Sequence, residues 1–112
     1  MTAMNPSSQL TARRLERLAQ LVRKQQVSEV MARTLDKLFD VEREESLRQL
    51  AQIQDDLAQL EKAYRMVSET FYQRWQAGEL DDRMDFVEWA SLYQMAHNLK
   101  ERLAILELES ES

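Results

Sequence analysis

The sequence lacks cysteine altogether and holds one glycine, Gly78, and one proline, Pro6, in 112 residues. Without cysteine there are no disulfides and no thiolate metal sites. Turns draw heavily on Gly, Pro, Asn and Asp, so a chain this poor in Gly and Pro is ill suited to a multistranded sheet. A phosphate-cradling loop needs several glycines. His97 is the only histidine. Catalytic triads need a nucleophile, a base and an orienting group, and a lone histidine with no cysteine leaves few ways to build one. Five positions before His97 stands Leu92, where small helical nucleases place arginine; position 94 is Gln, so the Glu-x-x-His ligand pattern of di-iron bundles is absent as well. No apolar run approaches the roughly 18 residues of a membrane span. Residues 1–10 have neither the charged start nor the apolar stretch of a signal peptide, which predicts a cytoplasmic protein.

What is present is helix-forming: Ala, Leu, Glu, Gln, Arg and Lys dominate. Charge is divided unevenly along the chain. Residues 1–34 carry six basic and two acidic residues, a net +4, and residues 35–112 carry nine basic and eighteen acidic, a net −9. Ends of opposite charge point to two different partners.

Residues 1–10, polar and without periodicity, are expected to form a mobile arm. A helix is expected from Thr11 as N-cap, with Leu15, Leu18 and Val22 on its apolar face. Lys24-Gln25-Gln26 should end it. Ser28 is the next N-cap candidate, and Val30, Met31, Leu35 and Leu38 follow it. After the charged stretch 40–45 the pattern resumes at Leu50, Ile53, Leu57, Leu60 and Tyr64, in steps of 3, 4, 3 and 4. One helix from Ser28 to Arg65 is expected, its apolar face rotating near residue 43, or else a kink there. Ser68 should cap a short helix that Gly78 stops. Asp85, with Glu88 three residues on, should open the last helix as a capping box. Its inner face reads Phe86, Trp89, Tyr93, Ala96, Leu99, Leu103 and Leu106.

The expected architecture is all-α. A long helix forms an antiparallel hairpin with the C-terminal helix, with a short helix between them and a basic helix at the N-terminus. The segments are the arm 1–10, a basic helical segment 11–40, a partner-binding hairpin 41–108 and a frayed tail 109–112. Apolar stripes wider than one partner helix needs predict a homodimer.

Two groups of residues are candidates for binding. Arg13, Arg14, Arg17, Arg23, Lys24 and Ser28 could contact the phosphates of DNA; the plainer reading of the arginines is a solvated helix face. Tyr72, Arg74, Trp75, Trp89 and Tyr93 could hold a protein partner, since aromatic and arginine side chains dominate interface hot spots. The plainer reading of Phe71, Trp75, Phe86 and Trp89 is a mini-core. The acidic clusters Glu42, Glu44, Glu45 and Asp81, Asp82, Asp85 offer hard oxygen atoms to a cation, but a solvated acidic face is their ordinary role. No metal, cofactor or small-molecule substrate is expected, and no catalysis.

Two stretches resemble known families. Residues 71–95 contain Phe-Tyr-Gln-Arg, then Gly-Glu-Leu-Asp-Asp, then Asp-Phe-Val-Glu-Trp. They resemble a segment of small bacterial proteins of toxin–antitoxin type. Ser28-Glu29-Val30-Met31 is similar to the opening of the second helix in ribbon-helix-helix repressors, with Gln25-Gln26 where that family has glycine. The second resemblance implies a DNA-reading strand before the first helix, over residues 7–11, and a phosphate at the N-terminus of the second helix. Together they imply an antitoxin that neutralises a basic toxin and regulates its own operon through DNA. A helical adaptor with one protein partner and no DNA role is the alternative.

Overall fold

In the computed structural model, residues 5–107 are described. They form four helices and no strand: α1 (Pro6–Arg23), α2 (Glu29–Tyr64), α3 (Ser68–Gln76) and α4 (Met84–Glu107). No helix among them is long and apolar enough to cross a membrane. The expected frayed tail, 109–112, lies outside the described residues, as do residues 1–4 of the expected arm.

The rest of that arm is helical. Asn5 is the N-cap of α1, its Oδ1 accepting the Ser8 backbone N–H at 2.8 Å, and Pro6 takes the first helical position. Proline fits there because that N–H has no intrahelical acceptor. Thr11, expected as the cap, sits inside the helix with its hydroxyl donating to the Ser7 carbonyl. Residues 7–11 are therefore helix and not the strand that the repressor resemblance implies. Ser28 does cap α2 as expected, accepting from Met31 N–H at 3.1 Å.

Helices need a stop, and this chain has one glycine with which to make stops. At the end of α1, Gln25 takes φ 57°; its N–H bonds to the Val22 carbonyl and that of Gln26 to Leu21. Arg65 takes φ 53° after α2. Only α3 ends on the residue that favours this conformation, Gly78 at φ 74°. The other two stops place ordinary side chains in the left-handed region, at a cost of about 1 kcal/mol each.

α2 is one helix of 36 residues, without a break at residue 43. Within the second unit its inner face runs through Glu42, Ser46, Leu50, Ile53, Leu57, Leu60 and Tyr64 in steps of 4, 4, 3, 4, 3 and 4, which average to the repeat of the helix itself. Polar residues occupy two of those positions and hide the continuity. Glu42 is half-buried and Ser46 is 1% exposed, with a hydroxyl that finds no hydrogen-bond partner.

The chain divides into two compact units, Met1–Phe39 and Asp40–Ser112. In the second, α2 and α4 run antiparallel as a hairpin. Arg43 pairs with Glu107 at 3.2 Å and Glu42 with Arg102, while at the other end Tyr64 donates to Asp85. Leu50, Ile53 and Leu57 meet Leu99, Leu103 and Ala96 in the core, which α3 closes with Phe71. Phe71 and Trp89 are both fully buried, their rings stacked 4.0 Å apart at 3°. The Trp89 indole N–H donates to Ser68 Oγ at 2.9 Å, and the Ser68 backbone N–H donates to Glu61 at 2.7 Å. Ser68 therefore begins α3 but does not cap it; its hydroxyl satisfies the buried indole. In the first unit, no residue of α1 is buried, and none of α2 before Ser46.

Candidate functional site

Along α3, Phe71 points into the core, Trp75 packs half-buried on it with ring centroids 6.0 Å apart, and Tyr72 turns aside toward α4. There its ring stacks on Tyr93, 4.6 Å away at 26°. The Tyr72 hydroxyl donates to Gln94 Oε1 at 3.0 Å, and the Gln94 amide donates to Asn98 at 3.3 Å. Three residues of α4 thus fix one tyrosine pair. One turn beyond Tyr93, His97 Nε2 lies 3.1 Å from Glu101.

This pair stands between two open grooves. One, of about 310 Å³, runs between α2 and α4 and is lined by Gln54, Glu61, Tyr93, His97 and Lys100, among others. The second, of about 350 Å³, runs between α3 and α4 along Glu69, Tyr72, Gln73, Gln76 and Gln94. Tyr93 and His97 line both. The two grooves therefore adjoin, with an aromatic ledge between them.

The loop 77–83 is fixed by charge. Arg83 donates twice to Asp81, and its guanidinium lies 4.5 Å from the centre of the Phe86 ring. The Arg83 guanidinium and backbone N–H hold the Asp81 carboxyl down at about 2. The bond to Asp85, with burial behind it, pushes the Tyr64 hydroxyl above its ordinary range. Asp85 is the second residue of α4 and bonds Tyr64, so the expected capping box does not form.

Of the five candidate partner contacts, Tyr72 and Tyr93 come together on the ledge. Arg74 is exposed and lies 3.6 Å from Glu79, and Trp75 is half-buried beside Phe71. Trp89, at 0% exposure, belongs wholly to the core and reaches no partner from there. His97, for which the sequence offers no catalytic or metal-ligand pattern, lines both grooves. Its spacing four residues after Tyr93 places both on one helix face, and that was the available signal.

The basic candidates are exposed throughout. At 100° per residue, Arg13, Arg17 and Lys24 fall on one face of α1 within about 40°, Arg14 and Arg23 to either side. The Ser28 hydroxyl is engaged in capping α2. The acidic clusters do not converge on a cation. Glu42 pairs with Arg102, Glu45 with Arg48 and Asp81 with Arg83, and no group of three or more candidate ligands gathers among the described residues.

Comparison with protein-family models, with curated proteins and with solved structures finds no match for this chain.

Proposed function

We propose that the chain is an antitoxin-like binding protein whose second unit holds and blocks a basic protein toxin. The observation that carries this reading is the stacked pair Tyr72–Tyr93, seated between two open grooves on a unit of net charge −9. Two rigid, amphipathic rings held in place before binding lose little freedom on binding, which suits an interface anchor. The acidic surroundings speed encounter with a cationic partner. The segment that resembles toxin–antitoxin proteins, residues 71–95, comprises most of α3, the loop and the first half of α4. It supplies both the aromatic core beneath the ledge and the ledge itself. The role is binding without catalysis, in the cytoplasm.

Regulation through DNA is the second half of the reading. The face of Arg13, Arg17 and Lys24 supports it; the missing ribbon means that any DNA contact would be made by helix. The test is a salt titration on the protein's own upstream DNA. Affinity should fall with a slope of about −0.9 per phosphate contacted, and replacing Arg13, Arg14 and Arg17 by Ala should flatten it. Wild-type protein that does not bind at about 50 mM salt, where phosphate contacts are strong, removes this half.

The toxin half is tested by expressing the product of the adjacent gene with and without this chain. Growth arrest by that product, relieved by the chain, is the expected result. The double variant Tyr72→Ala/Tyr93→Ala should lose the relief, each tyrosine contributing about 30-fold in affinity if both are hot spots of 2 kcal/mol. A neighbour that binds the chain but does no harm alone favours the adaptor.

A further inference from the structure

The first unit presents apolar side chains that are only about half covered. Leu10, Leu15 and Val22 of α1 and Met31, Leu38 and Phe39 of α2 are each 38–52% exposed. Ordering a residue's backbone costs about 1–2 kcal/mol, and most of the stability of a helix in a protein comes from packing its amphipathic face. A helical pair that buries no side chain does not offset that cost by itself. Its helices require cover.

We propose that the cover is the same face of a second copy of this chain, so that two N-terminal units close into a four-helix assembly about a twofold axis. Three observations select this occupant. The first is area. A fully exposed Val, Leu, Met or Phe side chain presents on the order of 100 Å² of apolar surface, so these six leave roughly 300 Å² of it per copy. A standard interface covers about 800 Å² per partner, of which about 65% is apolar in homodimers. The six side chains alone supply over half of that apolar share.

The second is the width of the stripe. From Leu10 and Leu21 at one edge to Ala12 and Ala19 at the other, the apolar residues of α1 are spread over about 200° at 100° per residue, with Arg14 the one charged residue among them. One neighbouring helix needs about 100°. A helix with two neighbours, as in a four-helix bundle, uses the whole arc.

The third is charge. The first unit has seven basic and three acidic residues, a net +4, which would oppose self-association if it stood in the seam. Arg13, Arg17 and Lys24 lie on the opposite side of α1 from Leu15 and Val22, while Arg14 falls between Leu21 and Leu18 toward one edge of the apolar arc. Two copies can therefore meet through Leu15 and Val22 with Arg13, Arg17 and Lys24 outward and Arg14 at the rim.

This inference does not rest on the partner reading above, because its residues belong to the other unit. The test uses the full chain. Sedimentation equilibrium should give twice the chain mass at tens of micromolar. The variant Leu15→Glu/Leu38→Glu should sediment as a monomer, with dimer affinity lowered at least 100-fold, while Leu15→Met/Leu38→Met stays dimeric. Tryptophan fluorescence, which reports the second unit, should melt alike in all three, so that loss of the dimer is separated from loss of the fold. A wild-type monomer whose N-terminal helices persist by circular dichroism would overturn the proposal. So would a dimer that survives the double glutamate variant, or a monomer that gains its N-terminal helicity only on anionic lipid vesicles.

Discussion

Two regions of one chain, both helical, differ in how they are held. Among the described residues, the second unit surrounds ten buried apolar side chains and the first surrounds none. Apolar content is not the difference, because α1 carries Leu10, Leu15, Leu18, Leu21 and Val22 in eighteen residues. The difference is closure. In the second unit a short helix and a loop turn the chain back so that α4 covers α2, and large aromatic rings fill the end of the hairpin. Amphipathic periodicity states which face wants cover, and the connection decides whether the same chain supplies it.

The sharpest way to break this contrast is a charge placed in each region. Leu57→Asp puts an unpaired carboxylate in the buried hairpin seam and should cost several kcal/mol, seen as a large fall in the urea midpoint by tryptophan fluorescence. Leu15→Asp should move the stability read by tryptophan by less than about 0.5 kcal/mol, because Leu15 belongs to the other unit. Equal losses from both would mean that the two units share one cooperative core.

Helix stops offer a subtler comparison. Gly78→Ala meets no neighbouring atom within 4 Å, but its φ of 74° is unfavourable for alanine. It should destabilise the second unit by about 1 kcal/mol. Gln25→Gly relieves the same conformation in the first unit, and should raise helicity by circular dichroism with the tryptophan transition unchanged.

Ser46→Ala should raise the stability of the second unit by about 1 kcal/mol in urea unfolding. It removes a buried hydroxyl without a partner and improves helix propensity. A loss instead would show that the hydroxyl is satisfied in solution.

The smallest effect is a pH dependence confined to the second unit. The hydrogen bond to Asp85, helped by burial, raises the folded-state pKa of Tyr64 above its ordinary value near 10. A raised pKa means that the fold favours the neutral phenol. Its contribution is complete below about pH 10 and is lost as pH rises through the folded value. Urea midpoints between pH 8 and 11 should fall more steeply for wild type than for Tyr64→Phe.

The helical architecture was legible because it rests on local rules: composition, the 3-and-4 spacing of Leu50 to Tyr64, Ser28 as a cap and Gly78 as a stop. The misreadings have a common physical form. Ser68 and Asp85 have the chemistry of caps, but each is taken by a partner 21 residues away, Trp89 and Tyr64. Tertiary hydrogen bonds outcompeted local ones, and sequence spacing carries no trace of them. Pro6 was read with its polar neighbours as part of an arm, although proline is equally at home as the first residue of a helix. The ledge was half legible. Tyr72 and Tyr93 follow from their polar tips, while separating Trp89 from them required knowing which face of α4 the hairpin buries.

The placement of the aromatic rings has an optical consequence. Both tryptophans and all three tyrosines lie between residues 64 and 93, so absorbance near 280 nm and intrinsic emission come from the second unit alone. Trp89, sealed against Phe71, should emit to the blue of Trp75, whose half-exposed ring sits one helical turn from Tyr72. Far-ultraviolet dichroism, in contrast, sums every helix. Following one denaturation by both signals therefore resolves the two units without a label, and the gap between the two curves measures how independently they melt.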